Sequence, residues 1–293
     1  MSATPILVDT NGIRLEVYTA GDPASDRLAL CLHGFPEHAH SWRFQMPLLA
    51  ELGYRVWAPN LRGYGGSSRP PHVRDYAIEA LLADVAGLVD AAQPREVVLL
   101  AHDWGAVIAW LFAMHRIRPL ARLVIMNVPH PEPFAREVRR WPQLKRSWYV
   151  FFFQLPWLPE WMMGRVPVGE LFRRTASHPE NFTEADIEIF SANAATTAAR
   201  RAMINYYRAM VLGGGAGRQR RLGSPRIDVP TLLLWGEDDM ALTKATTFGT
   251  ERYVEDLTIR YLPGISHWVQ QDAPGTVNTM LRAWLTGQPV PEA

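Results

Sequence analysis

The chain has 293 residues, 48% of them hydrophobic and 20% charged, which supplies a large buried core and excludes a disordered chain. The formal net charge of +1 gives no overall field to draw nucleic acid, an anionic membrane or an acidic substrate. The excess of arginine over the two lysines, Lys145 and Lys244, reads as composition bias rather than a phosphate-binding device. The single cysteine, Cys31, lies in an apolar run and excludes an intramolecular disulfide.

Met1–Thr10 lacks the basic and apolar regions of a leader peptide, and no uninterrupted apolar span of about 18 residues occurs, so the expectation is a cytoplasmic enzyme without membrane insertion. In chain order, Ile13–Tyr18, a turn over Gly21–Asp26 and the apolar Leu28–Leu32 predict strand, turn and strand, and Ser41–Leu52 a helix. Arg55–Ala58 predicts a short strand ending at Pro59, Asn60–Pro71 a loop rich in Gly, Ser and Pro, and Ala77–Ala91 a helix. Val97–Ala101 is continuously apolar, as a central parallel strand covered on both faces requires, and Gly105–His115 continues at helical spacing.

A strand over Leu123–Met126 leads into Asn127-Val128-Pro129-His130-Pro131, where the alternation of strand and helix stops. From there to Arg221 the sequence is irregular and mainly helical, with aromatic residues clustered at Trp148, Tyr149, Phe151, Phe152, Phe153, Trp157 and Trp161. Glycines at Gly213–Gly217 close that region; Pro230–Trp235 and Leu257–Leu262 resume as strands, and Gly275–Leu285 is the last helix. The pattern predicts an α/β core over 1–132 and 222–293, a mostly parallel sheet flanked by helices, interrupted by a helical cap over 133–221.

Asp103 falls at the junction of an apolar strand and a helix, with Ala101 and Gly105 small enough on either side for a sharp turn. This arrangement resembles the nucleophile elbow of α/β-hydrolases, with aspartate in place of serine. Carboxylate attack on an sp³ carbon gives an alkyl ester, whereas a serine hydroxyl suits acyl transfer, so esterase and peptidase readings recede. His33-Gly34-Phe35-Pro36-Glu37 follows a strand where half of an oxyanion hole is expected, with the N–H groups of Phe35 and Trp104 as its donors. Three acids stand in Trp235-Gly236-Glu237-Asp238-Asp239-Met240; Asp239, three residues past Gly236, is the candidate orienter and Asp238 the alternative. His267 in Gly264-Ile265-Ser266-His267-Trp268 completes an order of nucleophile, acid and histidine, as general base toward water.

Together, His33–Glu37 with Ser41-Trp42-Arg43, Arg62-Gly63-Tyr64-Gly65-Gly66-Ser67, His102-Asp103-Trp104-Gly105, Trp148-Tyr149 before Phe153-Gln154-Leu155-Pro156, Asn205-Tyr206-Tyr207-Arg208, and His267-Trp268 before Gln270 resemble the epoxide hydrolases of the α/β-hydrolase fold over nearly the whole chain. The resemblance implies opening of an epoxide to a diol through an ester on Asp103. It also implies two cap tyrosines that hold the epoxide oxygen and protonate the alkoxide, at Tyr149 and Tyr207, with Tyr206 the competitor for the second place.

Trp104, Phe35, Phe152 and Met240 are candidates for an apolar substrate pocket, while Trp148, Phe151, Phe153 and Trp157 read as packing. His102 and His33 read as supports of their turns, and Glu37 as a candidate for placing water. No zinc spacing occurs, and Gly63–Gly66 lacks the lysine of a phosphate loop, so no cofactor or metal is implied. The expected partners are a small-molecule epoxide and water, in a monomer or homodimer. A haloalkane or haloacetate dehalogenase using the same nucleophile is the rival reading, and a non-catalytic hydrolase-like binding protein a more distant one.

Overall fold

The central strands are apolar on both sides, and this decides the architecture. In the computed structural model, which describes residues 5–293, β3 (Arg27–Leu32) and β5 (Glu96–His102) run side by side in parallel. The start of the segment read for a leader, Met1–Thr4, lies outside the described residues. Successive side chains of a strand point to opposite faces. Leu28, Leu30, Leu32, Val97, Leu99 and Ala101 therefore enter one buried apolar cluster, and Ala29, Cys31, Val98 and Leu100 the other. A parallel sheet buried on two faces needs helices on both.

The sheet has eight strands in the order β1-β2-β4-β3-β5-β6-β7-β8. The others are β1 (Ile6–Thr10), β2 (Ile13–Ala20), β4 (Arg55–Pro59), β6 (Arg122–Met126), β7 (Thr231–Gly236) and β8 (Leu257–Leu262). β2 pairs antiparallel with both β1 and β4, and the remaining pairs are parallel. β1 was not legible in the sequence because it is an edge strand: of Ile6–Thr10 only Val8 and Thr10 are buried, too few to show an alternation.

α2 (Ile78–Ala92) and α3 (Trp104–Met114) cover one face, α2 through Ile78, Leu81, Val85, Leu88 and Val89 at helical spacing. α1 (Gln45–Glu51) and α13 (Pro274–Leu285) cover the other through Leu48, Leu49, Val277, Met280 and Leu281. α1 starts at Gln45, not at Ser41 as expected: Ala39–Trp42 forms a separate 3-10 turn, started by the His38 ring accepting the His40 N–H at 3.0 Å.

Between β6 and β7 the chain is helical, from α4 (Pro131–Glu137) through α5 (Trp141–Arg146), α6 (Trp148–Phe152), α7 (Leu158–Met163), α8 (Val168–Thr175), α9 (Glu184–Asn193) and α10 (Thr197–Val211) to α11 (Gly215–Leu222). α10 is its buried axis, capped by the Thr196 hydroxyl on the Ala199 N–H at 3.1 Å. Arg208 of α10 bonds Glu160 Oε1 at 2.7 Å and the Phe153 carbonyl at 3.0 Å, which fixes α6 and α7 on it. Trp148, Phe151 and Trp157, expected to pack, are instead 63%, 59% and 69% exposed, because α6 and the turn into α7 turn Phe153 inward in their place. No helix among the described residues is long and apolar enough to cross a membrane.

α3 meets the end of β3 closely at Gly105, where a Cβ would overlap the backbone carbonyls of Leu32 and His33. Gly105→Ala is expected to lower the free energy of unfolding by about 2–4 kcal/mol, read from urea denaturation. An unchanged midpoint would contradict the close approach of α3 to β3.

Candidate active site

β5 delivers Asp103 into a turn with φ 46° and ψ −122°, a backbone conformation that an L-residue adopts only when its surroundings impose it. The turn lifts the carboxylate off the end of the strand and sets it at the N-terminus of α3, where the helix dipole favours negative charge. Gly34 is required opposite it, since a Cβ there would overlap the Asp103 side chain. The Phe35 N–H donates to Asp103 Oδ1 at 2.5 Å, and Trp104, first residue of α3, presents an N–H with no acceptor inside its own helix.

The other carboxylate oxygen, Oδ2, faces His267 Nε2 at 3.7 Å. Asp239 Oδ2 holds His267 Nδ1 at 2.6 Å, while Asp239 Oδ1 accepts the N–H groups of Ala241 and Leu242 at 2.7 and 2.9 Å. Of the three acids in this loop Asp239 is the one bonded to His267; Asp238 is exposed. Burial opposes a charge on His267, but the Asp239 carboxylate and then Asp103 outweigh it, and its pKa is raised from 6.5 to about 10. Burial likewise works against the Asp103 anion, yet the hydrogen bond and charge of His267, with His102 and the Phe35 N–H, hold its pKa below the ordinary value.

From the insertion, Tyr207 of α10 and Tyr149 of α6 meet edge to face with ring centroids 5.8 Å apart. The Tyr207 ring also contacts Phe35, Trp104 and Phe153 at 5.2, 5.1 and 4.9 Å. Among the described residues neither phenol O–H donates to another protein group, the Tyr207 oxygen accepting from the Trp104 indole N–H, whereas the Tyr206 hydroxyl is committed to the Arg62 carbonyl at 2.7 Å. Burial, and after it the charge of Asp103, pushes both phenols above their ordinary pKa, so they stay protonated.

Two expected wall residues are placed otherwise. Phe152 packs at a tilt against Trp148 and Phe153, and it is Phe153 that touches Phe35 and Tyr207. Met240 is 53% exposed, because the inward turn of Asp239 onto Ala241 and Leu242 sends it outward; Leu242 joins the apolar cluster of Trp104 and Tyr207 instead.

Glu37 is buried and engaged: its Oε2 accepts the Gly34 N–H at 2.6 Å and faces His102 Nδ1 at 2.8 Å, and its Oε1 accepts Gln270 and Gln271 at 3.1 Å each. His102 Nε2 meets the His267 carbonyl at 2.9 Å, and His33 ties the Gly34 carbonyl to the Leu61 N–H. Glu37 thus braces the loops of Phe35 and His267 from behind.

Sequence reasoning missed Asn127 and Asp272. Asn127, at φ 45°, donates to Asp239 Oδ2 at 2.9 Å and accepts the Gly236 N–H at 2.8 Å; an asparagine just past a strand, before Val-Pro, is the signal it left. Asp272 accepts the Ser177 and His178 N–H groups at 3.0 Å each and the Ser266 hydroxyl, joining the insertion to the loop of His267. Among the described residues no group of three or more His, Cys, Asp or Glu side chains is placed to hold a metal ion.

The family model described as alpha/beta hydrolase fold matches residues 30–247. The chain belongs to the α/β-hydrolase family. Within it, this hydrolase is similar to epoxide hydrolase 3 of Xenopus tropicalis, 36% identical over 96% of this chain and 77% of that one. It is also similar to epoxide hydrolase A of Mycobacterium tuberculosis, 33% identical over 97% of this chain and 98% of that one. The crystal structure of epoxide hydrolase A from Mycobacterium thermoresistibile superposes with a TM-score of 0.84 at 28% identity, covering 98% of this chain and 99% of that one. A Bacillus megaterium epoxide hydrolase variant, complexed with its naphthyloxy-propane-diol product, superposes with a TM-score of 0.85 at 27% identity over 96% of this chain and all of that one.

The paired imidazolium makes a stability prediction. The folded pKa of His267 lies above the unfolded one, so its contribution is fully present below about pH 6.5 and is lost as pH rises through about 10. The Tm of the wild type should therefore fall across that window relative to His267→Gln; parallel curves would contradict the ion pairs.

Proposed function

We propose that this hydrolase opens an apolar aryl or alkyl epoxide to a vicinal diol through an alkyl ester on Asp103, beneath a cap formed by 133–221. The observation that carries the reading is one carboxylate with its oxygens in different settings, Oδ1 on the Phe35 N–H and Oδ2 facing His267, close to two phenols that share its field and whose O–H groups donate to no protein group among the described residues.

Oδ2 attacks an epoxide carbon and the C–O bond breaks, while Tyr149 and Tyr207 donate to the oxygen and one phenol supplies its proton. Phenols serve because a ring-opened alkoxide is strongly basic. Esterification removes one of the two carboxylates that raise the His267 pKa, so the imidazolium passes its proton to the tyrosinate and becomes a base. Water loses a proton to His267 and adds to the ester carbon; the oxyanion forms on Oδ1, held by the N–H groups of Phe35 and Trp104, each worth about 3 kcal/mol in comparable sites. Collapse expels the diol with the former Oδ2, and the proton of the new carboxyl group goes to that leaving oxygen. Carboxylate, imidazolium and phenol are thereby restored. Asp239, held by Asn127, keeps His267 in the required tautomer.

Diol formation from a phenyl-substituted epoxide tests the reading, with Asp103→Ala as the blank. Wild type alone should form diol, and Tyr149→Phe with Tyr207→Phe together should lower kcat by about 10²–10⁴-fold. A single turnover in labelled water should leave the first diol unlabelled. Halide release from a haloalkane or haloacetate panel without diol would instead establish the dehalogenase reading, in which the leaving halide needs no proton.

A further inference from the structure

The helices that carry Tyr149 have a second face. α5 and α6 follow each other through Ser147, and Trp141, Leu144, Trp148, Phe151 and Leu155 recur at spacings of three and four, which places them along one side. All five are exposed, Trp141 at 72%, while Gln143, Ser147 and Phe153 on the other side are buried. Beyond them a cleft of about 340 Å³ is bordered by Trp157, Trp161, Arg165 and Arg201, with the Arg165 guanidinium 4.3 Å from the centre of the Trp161 ring.

The charge of this region is one-sided. Pro133–Thr175 carries eight Arg and Lys and three Glu, and two of those three, Glu137 and Glu160, are buried; the chain as a whole is nearly neutral. Arg139, Lys145 and Arg165 form no ion pair among the described residues. Contiguous exposed aromatic surface of this extent marks an interaction site. A second copy does not fit it, because an isologous dimer would set the basic segment against itself. Tryptophan with long basic side chains suits the boundary of a bilayer, where indoles sit at headgroup level and guanidinium and ammonium groups meet anionic phosphate.

We propose that the outer face of α5–α7 docks this protein peripherally on an anionic lipid surface. The inner face of the same helices bears Tyr149, so docking brings the cap against the phase in which an apolar substrate dissolves. The inference goes beyond the reaction proposed above, and its test does not use that reaction.

The full chain is sedimented with vesicles of phosphatidylcholine and with vesicles that also contain phosphatidylglycerol. It should partition onto the anionic vesicles, and binding should weaken as salt rises from about 0.1 M to about 1 M, where the screening length shrinks from about 10 Å to about 3 Å. Trp148→Ser with Trp157→Ser, and separately Arg139→Gln with Lys145→Gln, should each reduce partitioning roughly tenfold while circular dichroism shows the fold intact. Absence of binding, equal binding to neutral vesicles, or binding unchanged in both variants would overturn the proposal. So would a concentration-dependent dimer that the tryptophan variant dissociates without any vesicle binding, which would assign the face to a second copy.

Discussion

A carboxylate largely enclosed at the tip of a central strand is the constraint around which the rest is arranged. Removing a charge from water is costly unless it is paired and hydrogen-bonded. Asp103 meets that demand with the Phe35 N–H, the N-terminus of α3 and the His267 imidazolium. Each answer constrains its neighbours. The N–H requires Gly34 against the carboxylate, the helix requires Gly105 against β3, and the imidazolium requires Asp239, which in turn leans on Asn127. Behind them Glu37 and His102 join the Gly34 turn to the His267 carbonyl, so two loops far apart in sequence hold one geometry.

The insertion adds to this core a division of labour set by helix geometry. Tyr206 and Tyr207 are adjacent on α10 and diverge by the angle between successive helical residues. One faces the loop carrying Arg62 and is fixed there; the other points among Phe35, Trp104 and Phe153, its oxygen on the Trp104 indole N–H and its own proton free to donate. Arg208, one residue further on, anchors α6 and α7 through Glu160 and the Phe153 carbonyl. Tyr149 thus reaches Tyr207 through packing organised by α10, and Asp272 ties the same insertion to the histidine loop.

How much of this the sequence disclosed follows the strength of its local signals. The central strands were legible because they are apolar on both faces, and the elbow because its pattern is wholly local, an acid between small residues where a strand gives way to a helix. The edge strand β1 was not, having too few buried positions, and α1 was placed early because nothing in Ser41–Leu52 marks the end of the 3-10 turn at Trp42. At the site, the order of Asp103, acid and His267 could be read, but which of Phe152 and Phe153 faces inward could not, since both sides of α6 are aromatic and only packing on α10 separates them. Met240 and Leu242 were exchanged for a related reason: the direction of the chain there is set by N–H groups reaching for the Asp239 carboxylate, a tertiary demand with no periodic signature. Asn127 and Asp272 act through atoms over a hundred and nearly a hundred residues away, beyond any local pattern.

The central claim is that Asp103 itself becomes the alkyl ester. The most direct measurement is the intact mass of His267→Gln after mixing with a phenyl-substituted epoxide, followed by peptide mapping. Without the base that activates water, the adduct should accumulate as one epoxide mass per chain, located on the peptide containing Asp103. A protein of unchanged mass that still releases diol, or an adduct on any other residue, would contradict the account.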